Sequence, residues 1–149
     1  MAYRDSNGQN DNQRRVAHRC CLPMRWADMD AQNHMNNVVY FRFIEEARIQ
    51  MLDSIGGVRD GERVSVLAHT SCDFLRPVVY PAGIIVTQLV NRVGRTSLDV
   101  DVELACDTAP DITVAKARYV LVCANAASGQ PMPWTVHQRQ ALEGMIHSE

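Results

Sequence analysis

The chain has 149 residues, of which 46% are hydrophobic and 21% are charged, and its formal net charge at pH 7 is −2. This composition is typical of a globular protein, and the length favours a single domain. The near-neutral charge gives no electrostatic reason to expect nucleic acid as a partner. The sequence contains no run of about 18 apolar residues, so we predict no membrane partner either.

Residues 1–14 are polar and lack the apolar segment of a signal peptide. We predict that they form a disordered tail, followed by one domain over 15–149. The cysteines show neither a CxxC pair nor a Cys/His spacing suited to zinc, and we expect no metal and no cofactor. We interpret them as reduced and mostly buried, which favours a cytoplasmic location. The five are Cys20, Cys21, Cys72, Cys106 and Cys123.

The predicted secondary structure begins with a loose alternation over 15–26, which indicates an edge or irregular strand because Pro23 interrupts it. A long helix is predicted over 36–55, where apolar residues recur every four positions, and Gly56 and Gly57 supply its stop. Later alternation predicts strands over 64–72, 84–93, 97–106 and 114–124, turns at 94–96 and 107–111, and a short terminal helix over 134–146.

The number and order of these elements limit the fold. One helix and one antiparallel sheet can bury their apolar faces only against each other. Segment 97–106 carries Asp99, Asp101 and Glu103 on one side, which indicates a sheet with one solvated face. We therefore predict an α+β fold in which a curved antiparallel sheet of about five strands wraps one long helix. The open sheet edges favour pairing of two chains edge to edge.

A polar cluster, RWADMDAQNHMNN over residues 25–37, directly precedes the predicted helix. One interpretation is structural: Asn36 or Asn37 caps the helix, and Asp28 lies near its positive end. The other is chemical: free amides at a helix start stabilise an oxyanion, while a carboxylate acts as nucleophile or general base. That combination suits hydrolysis of a reactive acyl compound such as a thioester, with Asp30 as the carboxylate.

The stretch RWADMDAQNHMNNVVYFRFIEEAR closely resembles the signature D-x-D-x-x-x-H-x-N-N-x-x-Y-x-x-x-x-E-x-A-R of hotdog-fold acyl-CoA thioesterases of the 4-hydroxybenzoyl-CoA thioesterase type. Three later segments, DFLRPVVYPAGIIV, GRTSLDVDVEL and AKARYVLVCANAASGQPMPW, are similar to the family's strand patterns in the same order. The resemblance extends over about residues 20–140. It implies a hotdog fold and hydrolysis of an acyl-CoA thioester.

The resemblance also implies individual catalytic roles. Asp30 matches the catalytic carboxylate, and Asn37 matches the helix-start residue whose backbone N–H polarises the thioester carbonyl. His34 matches a catalytic histidine of plant acyl-carrier-protein thioesterases, which are similar in this segment. The chain departs from these patterns at Gln32, where Asn is usual, and at Asn33, where Gly is usual. These departures leave the role of His34 open.

The ligand that the resemblance implies is coenzyme A, whose phosphates favour basic residues and turn amides. Solvated strand ends explain each candidate arginine about equally well when it is taken singly. We interpret Arg76 as structural, because it lies between a hydrophobic strand and a proline. The predicted substrate-binding residues are Tyr40, Arg92, Arg95, Thr96, Ser97 and Arg118.

The leading functional hypothesis is an acyl-CoA thioester hydrolase that releases a carboxylic acid and coenzyme A. One alternative on the same fold is a non-catalytic acyl-CoA binding or sensing protein. A less favoured alternative is a dehydratase acting on a 3-hydroxyacyl thioester. Since the family's active site lies between subunits, the resemblance implies a homodimer or homotetramer. The acyl group stays open, as does the choice between an acyl-CoA and an acyl-carrier-protein thioester.

Overall fold

The computed structural model describes residues 15–57 and 60–146, so the predicted tail over 1–14 lies outside the described residues. A short 3₁₀ turn over Trp26–Asp28 follows the first strand. The helices and strands are β1 His18–Pro23, α1 Asn37–Ser54, β2 Arg63–Phe74, β3 Gly83–Val93, β4 Ser97–Cys106, β5 Ala109–Asn125 and α2 Val136–Glu143.

The five strands form one antiparallel sheet in the order β1-β3-β4-β5-β2. Its inner face packs on α1, so that Leu98 and Val100 of β4 share a core with Ile44 and Met51 of the helix. This curved sheet around one long helix confirms the predicted α+β hotdog fold. The order also leaves β1 and β2 as the two edges, which confirms the edge position expected for the first strand.

Helix α1 begins and ends where its local signals predict. The side chain of Asn36 accepts a hydrogen bond from the Val38 amide and so caps the first turn. Gly56 and Gly57 have φ values of 87° and 80°, in the left-handed region that glycine adopts without strain. The Gly57 amide then returns to the Leu52 carbonyl at 2.8 Å. These contacts terminate the helix within a residue of the predicted end.

A buried polar network ties α1 to the middle of the sheet. The side-chain amide of Gln88, on β3, donates through its nitrogen to the Ala47 carbonyl at 2.9 Å and accepts through its oxygen from the Tyr119 hydroxyl at 2.6 Å. Arg48 covers the Tyr119 ring with its guanidinium carbon 5.1 Å from the ring centre. Buried polar groups are stable only when they are paired, so this network fixes the position of α1 over the sheet.

Two predicted details are wrong. The turn predicted over 107–111 is shorter, because Cys106 pairs directly with Ala109 and Pro110 already belongs to β5. The cysteines are all free, but only Cys123 is fully buried, and Cys21 is exposed because it lies on the edge strand β1. The cytoplasmic location stays a prediction. Within the described ranges, no helix is long and apolar enough to span a membrane.

Candidate active site

The polar segment between β1 and α1 folds into a closed loop. Met29 and Met35 form an isolated antiparallel bridge. Inside it, the Asp30 amide donates to the His34 carbonyl at 2.9 Å, and the Asn33 amide donates to the Asp30 carbonyl at 3.0 Å. Asn33 has a φ of 59°, in the left-handed region where Gly is favoured and Asn is next best tolerated. The departure from the family's Gly therefore preserves the backbone conformation of this loop.

Asp28 anchors the loop to the helix. Its carboxylate is 2% exposed, accepts from the Arg25 amide at 2.8 Å and pairs with Arg42 of α1. Its carbonyl accepts from the Asn36 amide at 2.9 Å. Burial alone would raise the pKa of Asp28, but the hydrogen bonds from Arg25 and Arg42 outweigh burial and hold this pKa below its usual value. Asp28 is a structural residue that connects the loop to the start of α1.

Asp30, two residues later, lies in a different environment. Its side chain is partly exposed, and one carboxylate oxygen accepts from the Gln32 amide at 2.8 Å. Within the part of the chain that the structure describes, no basic side chain forms an ion pair with Asp30. The loop therefore orients this carboxylate while leaving its second oxygen available to a substrate.

The start of α1 offers one free backbone donor. The Val38 amide is bonded to the Asn36 side chain, and the Val39 amide donates to the Asn36 carbonyl at 2.9 Å. In contrast, the backbone N–H of Asn37 donates to no atom of the described residues. A free amide at this position combines a hydrogen-bond donor with the positive end of the helix dipole.

One cavity of about 340 Å³ brings these groups together. Asp30, His34, Asn37 and Tyr40, which were all predicted as site residues, lie in its lining. The Tyr40 ring is buried and packs edge-to-face on Phe74, with ring centres 4.9 Å apart. Burial raises the pKa of Tyr40 to about 12, so its hydroxyl stays neutral at physiological pH. The other lining residues are Gln32, Met35, Phe74, Leu75, Arg76 and Pro77.

Most of the remaining predicted substrate-binding residues lie at the opposite end of the sheet. Phe74 pairs with Ala115, which pairs with Leu104. Ser97 begins the strand that contains Leu104. At about 3.3 Å per residue, Ser97 lies roughly 23 Å from Leu104. Arg92, Arg95, Thr96 and Ser97 cluster around this distant turn, whereas Arg118 pairs with Asp101 nearer the middle of the sheet and lines the outer face. One chain alone does not bring them to Asp30.

Some of the polar groups towards this second end are paired. Arg118 donates twice to Asp99, at 2.9 and 2.6 Å, and this pairing holds the pKa of Asp99 below its usual value. The Thr96 carbonyl accepts from the Cys123 amide, and the Ser97 carbonyl accepts from the Trp134 indole. Arg92 and Arg95 are exposed. Their contact with a ligand stays a prediction.

A larger depression of about 600 Å³ lies on the outer face of the sheet. It contains as many acidic as basic side chains, so it has no net preference for an anion. The structure places no helix start among its lining residues. We therefore assign the chemistry to the smaller cavity at α1. The charged lining residues of the depression are Arg19, Asp73, Asp101, Glu103, Lys116 and Arg118.

Sequence reasoning missed several members of the cavity. Arg76 was interpreted as structural, yet its side chain is exposed, lines the cavity and contacts no partner among the described residues. Phe74 and Leu75, from the end of β2, were not singled out either. The available signal was a charged residue in an otherwise apolar FLRP segment. Only the tertiary structure brings that segment beside the start of α1.

The residues that the structure describes contain no group of three or more His, Cys, Asp or Glu side chains arranged to hold a metal ion. The groups that the cavity does offer are an oriented carboxylate, a free amide at a helix start, and an imidazole. A carboxylate beside such an amide defines a site suited to acyl transfer.

Comparisons with known proteins identify the class. Residues 24–142 match the thioesterase-like superfamily, and the chain belongs to this family. The structure of the PA2801 protein of Pseudomonas aeruginosa, a proposed thioesterase, is 30% identical with a TM-score of 0.79, covering 85% of this chain and 98% of that one. The family-level resemblance seen in the sequence is thus confirmed.

Two further relatives extend the comparison. A thioesterase of Thermus thermophilus, solved in complex with coenzyme A and Zn, is 26% identical with a TM-score of 0.74 and covers 87% of this chain and 95% of that one. The uncharacterized protein YsmA of Bacillus subtilis (strain 168) is 27% identical over 123 residues, which are 81% of this chain and 82% of that protein.

Proposed function

We propose that this protein hydrolyses acyl-CoA thioesters at the cavity beside the start of α1. The observation that carries the proposal is that Asn37, whose backbone N–H has no partner among the described residues, lines the same cavity as Asp30. Membership of the thioesterase-like superfamily supports this chemistry. The coenzyme A bound by the Thermus thermophilus thioesterase supports coenzyme A as the carrier of the acyl group.

The proposed reaction starts with the thioester carbonyl oxygen accepting a hydrogen bond from the Asn37 N–H. Negative charge that develops on this oxygen is stabilised by the amide and by the helix dipole. Asp30 then attacks the carbonyl carbon, or it removes a proton from a water that attacks it. By either route one water is consumed, the carbon–sulfur bond breaks, and a carboxylate, a thiol and a proton are released.

His34 belongs to the same cavity, but its proposed role is secondary. Its backbone carbonyl holds the Asp30 amide, so the residue helps to shape the loop whatever its side chain does. Its imidazole lines the cavity, where it can protonate the departing thiolate. Replacement by Ala keeps the backbone contact and removes only the imidazole, and a loss in kcat then measures the side chain alone.

We also propose that the functional form is a homodimer or a homotetramer. β2 is an edge strand of 12 residues, and Val66, Leu67 and Phe74 on it are 43–48% exposed. A long apolar edge is an aggregation hazard unless another chain covers it. Phe74 also lines the cavity, so pairing along β2 puts a second subunit next to the site. A partner is then available to supply the phosphate contacts that lie about 23 Å away within one chain.

Light scattering coupled to size exclusion tests this assembly. We expect a dimer or tetramer for the wild-type chain and a smaller species, with reduced activity, for Leu67→Glu. The same substitution at the exposed Ile112, Ile112→Glu, is the matched control, because Ile112 lies on β5 rather than on the β2 edge. A fully active wild-type monomer would refute the proposed assembly.

The catalytic proposal is tested by measuring thiol release from short, long and aromatic acyl-CoAs and from an acyl-carrier-protein thioester. Asp30→Asn should lower kcat by at least about 100-fold while circular dichroism and thermal unfolding stay unchanged. Asp53→Asn, at an exposed position near the end of α1, is the matched control.

The same assay separates the alternatives. Full turnover by Asp30→Asn would remove Asp30 from the mechanism. Tight binding of acyl-CoA by the wild type without thiol release would favour the non-catalytic binding protein. Hydration of an enoyl thioester without thiol release would favour a dehydratase.

A further inference from the structure

Arg76 stands out because it brings a positive charge without a partner among the described residues to the cavity that contains Asp30. Several other arginines are engaged: Arg42 pairs with Asp28, Arg118 with Asp99, and Arg139 with Glu143. The exposed Arg92 and Arg95 lie around the distant β3–β4 turn, away from this cavity. The guanidinium of Arg76 forms no hydrogen bond or ion pair with a described residue. It is the only arginine or lysine among the described residues that line the cavity containing Asp30.

The backbone of Arg76 is held in place from both sides. The amides of Leu75 and Arg76 both donate to the Val114 carbonyl of β5, at 2.9 and 3.1 Å. Pro77 then restricts the backbone of the preceding residue to extended conformations. On the far side, the Val78 carbonyl accepts from the Met35 amide at 2.7 Å. These contacts fix the segment relative to the loop that carries Asp30, so the guanidinium projects from a rigid base.

We propose that Arg76 binds an anionic group of the substrate, which deepens the proposed hydrolysis and rests on it. A guanidinium presents several donors in a planar arrangement that matches a carboxylate or a phosphate. It is also needed electrostatically, because the nearby Asp30 carboxylate repels any second anion that enters the cavity. Arg76 offsets that repulsion and gives the anion a defined position.

The anion has two chemical sources, a carboxylate on the acyl group or a phosphate of the thiol carrier. The cavity volume of about 340 Å³ is at the small end for a ligand site and suits the acyl group and thioester rather than a whole coenzyme. An anion inside the cavity then belongs to the acyl group. The favoured substrate class is therefore a thioester whose acyl group ends in a carboxylate.

The test measures kcat/KM of the full-length protein for three thioesters. Hexanoyl-CoA and adipoyl-CoA have acyl chains of equal length and differ by a terminal carboxylate. Hexanoyl-N-acetylcysteamine lacks every phosphate of coenzyme A. For Arg76→Gln we expect kcat/KM for adipoyl-CoA to fall at least about tenfold further than for hexanoyl-CoA, because a charge-assisted hydrogen bond is lost. Arg76→Lys should recover part of this loss, and Arg19→Gln on the outer face controls for net charge.

The other outcomes are equally informative. A loss of at least tenfold for both CoA thioesters, with hexanoyl-N-acetylcysteamine unaffected, also supports an anion contact at Arg76 and assigns it to a carrier phosphate. An equal effect on all three thioesters, or no effect on any, overturns the proposal.

Failure of the proposed hydrolysis is distinguishable from failure of this inference. If the wild type releases no thiol, calorimetric binding of the non-hydrolysable thioether analogues of the two CoA thioesters replaces the kinetic readout. Weaker binding by Arg76→Gln, with Arg19→Gln unchanged, still supports the anion contact. Identical binding by the two variants, or no binding by the wild type, overturns it.

Discussion

The two ends of the sheet differ in how their polar groups are satisfied. At the end beside α1, Asp30, Asn37 and Arg76 all line one cavity, and neither the Asn37 amide nor the Arg76 guanidinium has a partner among the described residues. On the outer face towards the β3–β4 turn, Arg118 is bound by Asp99. Basic residues were predicted to bind substrate at the second end, where Arg92 and Arg95 are exposed, whereas the first end gathers groups without a partner and a carboxylate around one cavity.

Pairing decides which of these groups is available for chemistry. A charge that already has two good hydrogen bonds gains little from a ligand, because the ligand must displace the existing partner. An oriented but unpaired group loses nothing when the substrate arrives, which is the condition for electrostatic stabilisation of a transition state. We therefore expect substitutions at the α1 end to affect catalysis strongly and substitutions at the turn end to affect it weakly.

The largest effect in this comparison is expected for Asn37→Pro. Proline removes the backbone N–H but is favoured at the first helical position, and Asn36, with φ −61° and ψ 138°, already has the conformation that precedes proline. Loss of one oxyanion donor should lower kcat about 100-fold to 1,000-fold. Asn37→Ala keeps the amide and should stay close to wild type. Equal losses in both variants, measured by thiol release, would assign the effect to the side chain instead.

A smaller effect, on stability, is expected for Asp28→Asn. The variant loses the ionic contacts with Arg25 and Arg42, and we expect a loss on the order of 2 kcal/mol in the free energy of unfolding at pH 7. Because the folded-state pKa of Asp28 is depressed, its stabilisation is present above the unfolded pKa of about 3.9 and disappears as the pH falls through the folded pKa.

The pH dependence provides the check on Asp28. Urea unfolding of wild type and Asp28→Asn should differ at neutral pH, begin to converge below about pH 4 and coincide only below the folded pKa of Asp28. A difference that persists unchanged into acid would mean that packing, rather than charge, is responsible. The Arg42→Met variant breaks the same pair from the helix side and should reproduce the neutral-pH loss.

A smaller effect on stability than that of Asp28→Asn is expected for substitution of Asn33 in the loop. Its φ of 59° should make Asn33→Ala less stable by about 1 kcal/mol, since an L residue without a local hydrogen-bonding side chain is strained there. Asn33→Gly should keep both stability and kcat near wild type, because glycine adopts this conformation freely. Thermal unfolding of the two variants measures their stability, and thiol release measures their kcat. A destabilised glycine variant would contradict the backbone explanation.

The smallest effect is expected for Arg118→Gln at the turn end. The Arg118–Asp99 pair is solvent-accessible, and such pairs contribute little to stability. We expect KM for acyl-CoA to change less than it does for Arg92→Gln or Arg95→Gln, whose side chains are exposed and free to contact phosphate. A loss of kcat/KM at Arg118 as large as that of Asn37→Pro would reverse the comparison between the two ends.

Local signals made much of the fold predictable. The four-residue apolar spacing, Asn36 and the Gly56–Gly57 pair placed α1 to within a residue, because caps and stops depend on neighbouring backbone groups. Alternation placed β4 over 97–106, since side chains of a strand alternate between faces. The turn after β4 was misjudged because Pro110 resembles a turn residue, although cross-strand pairing with Cys106 begins at Ala109.

The sequence by itself determined the α+β fold, the family and the grouping of Asp30, His34 and Asn37, because all three lie within eight residues of one loop and helix start. Only the tertiary structure showed what neutralises Asp28, since its partner is Arg42, 14 residues later. It also brought Arg76 to the cavity through contacts with β5 and the loop. Availability for chemistry depends on partners from distant segments, and folding alone decides which groups remain unpaired.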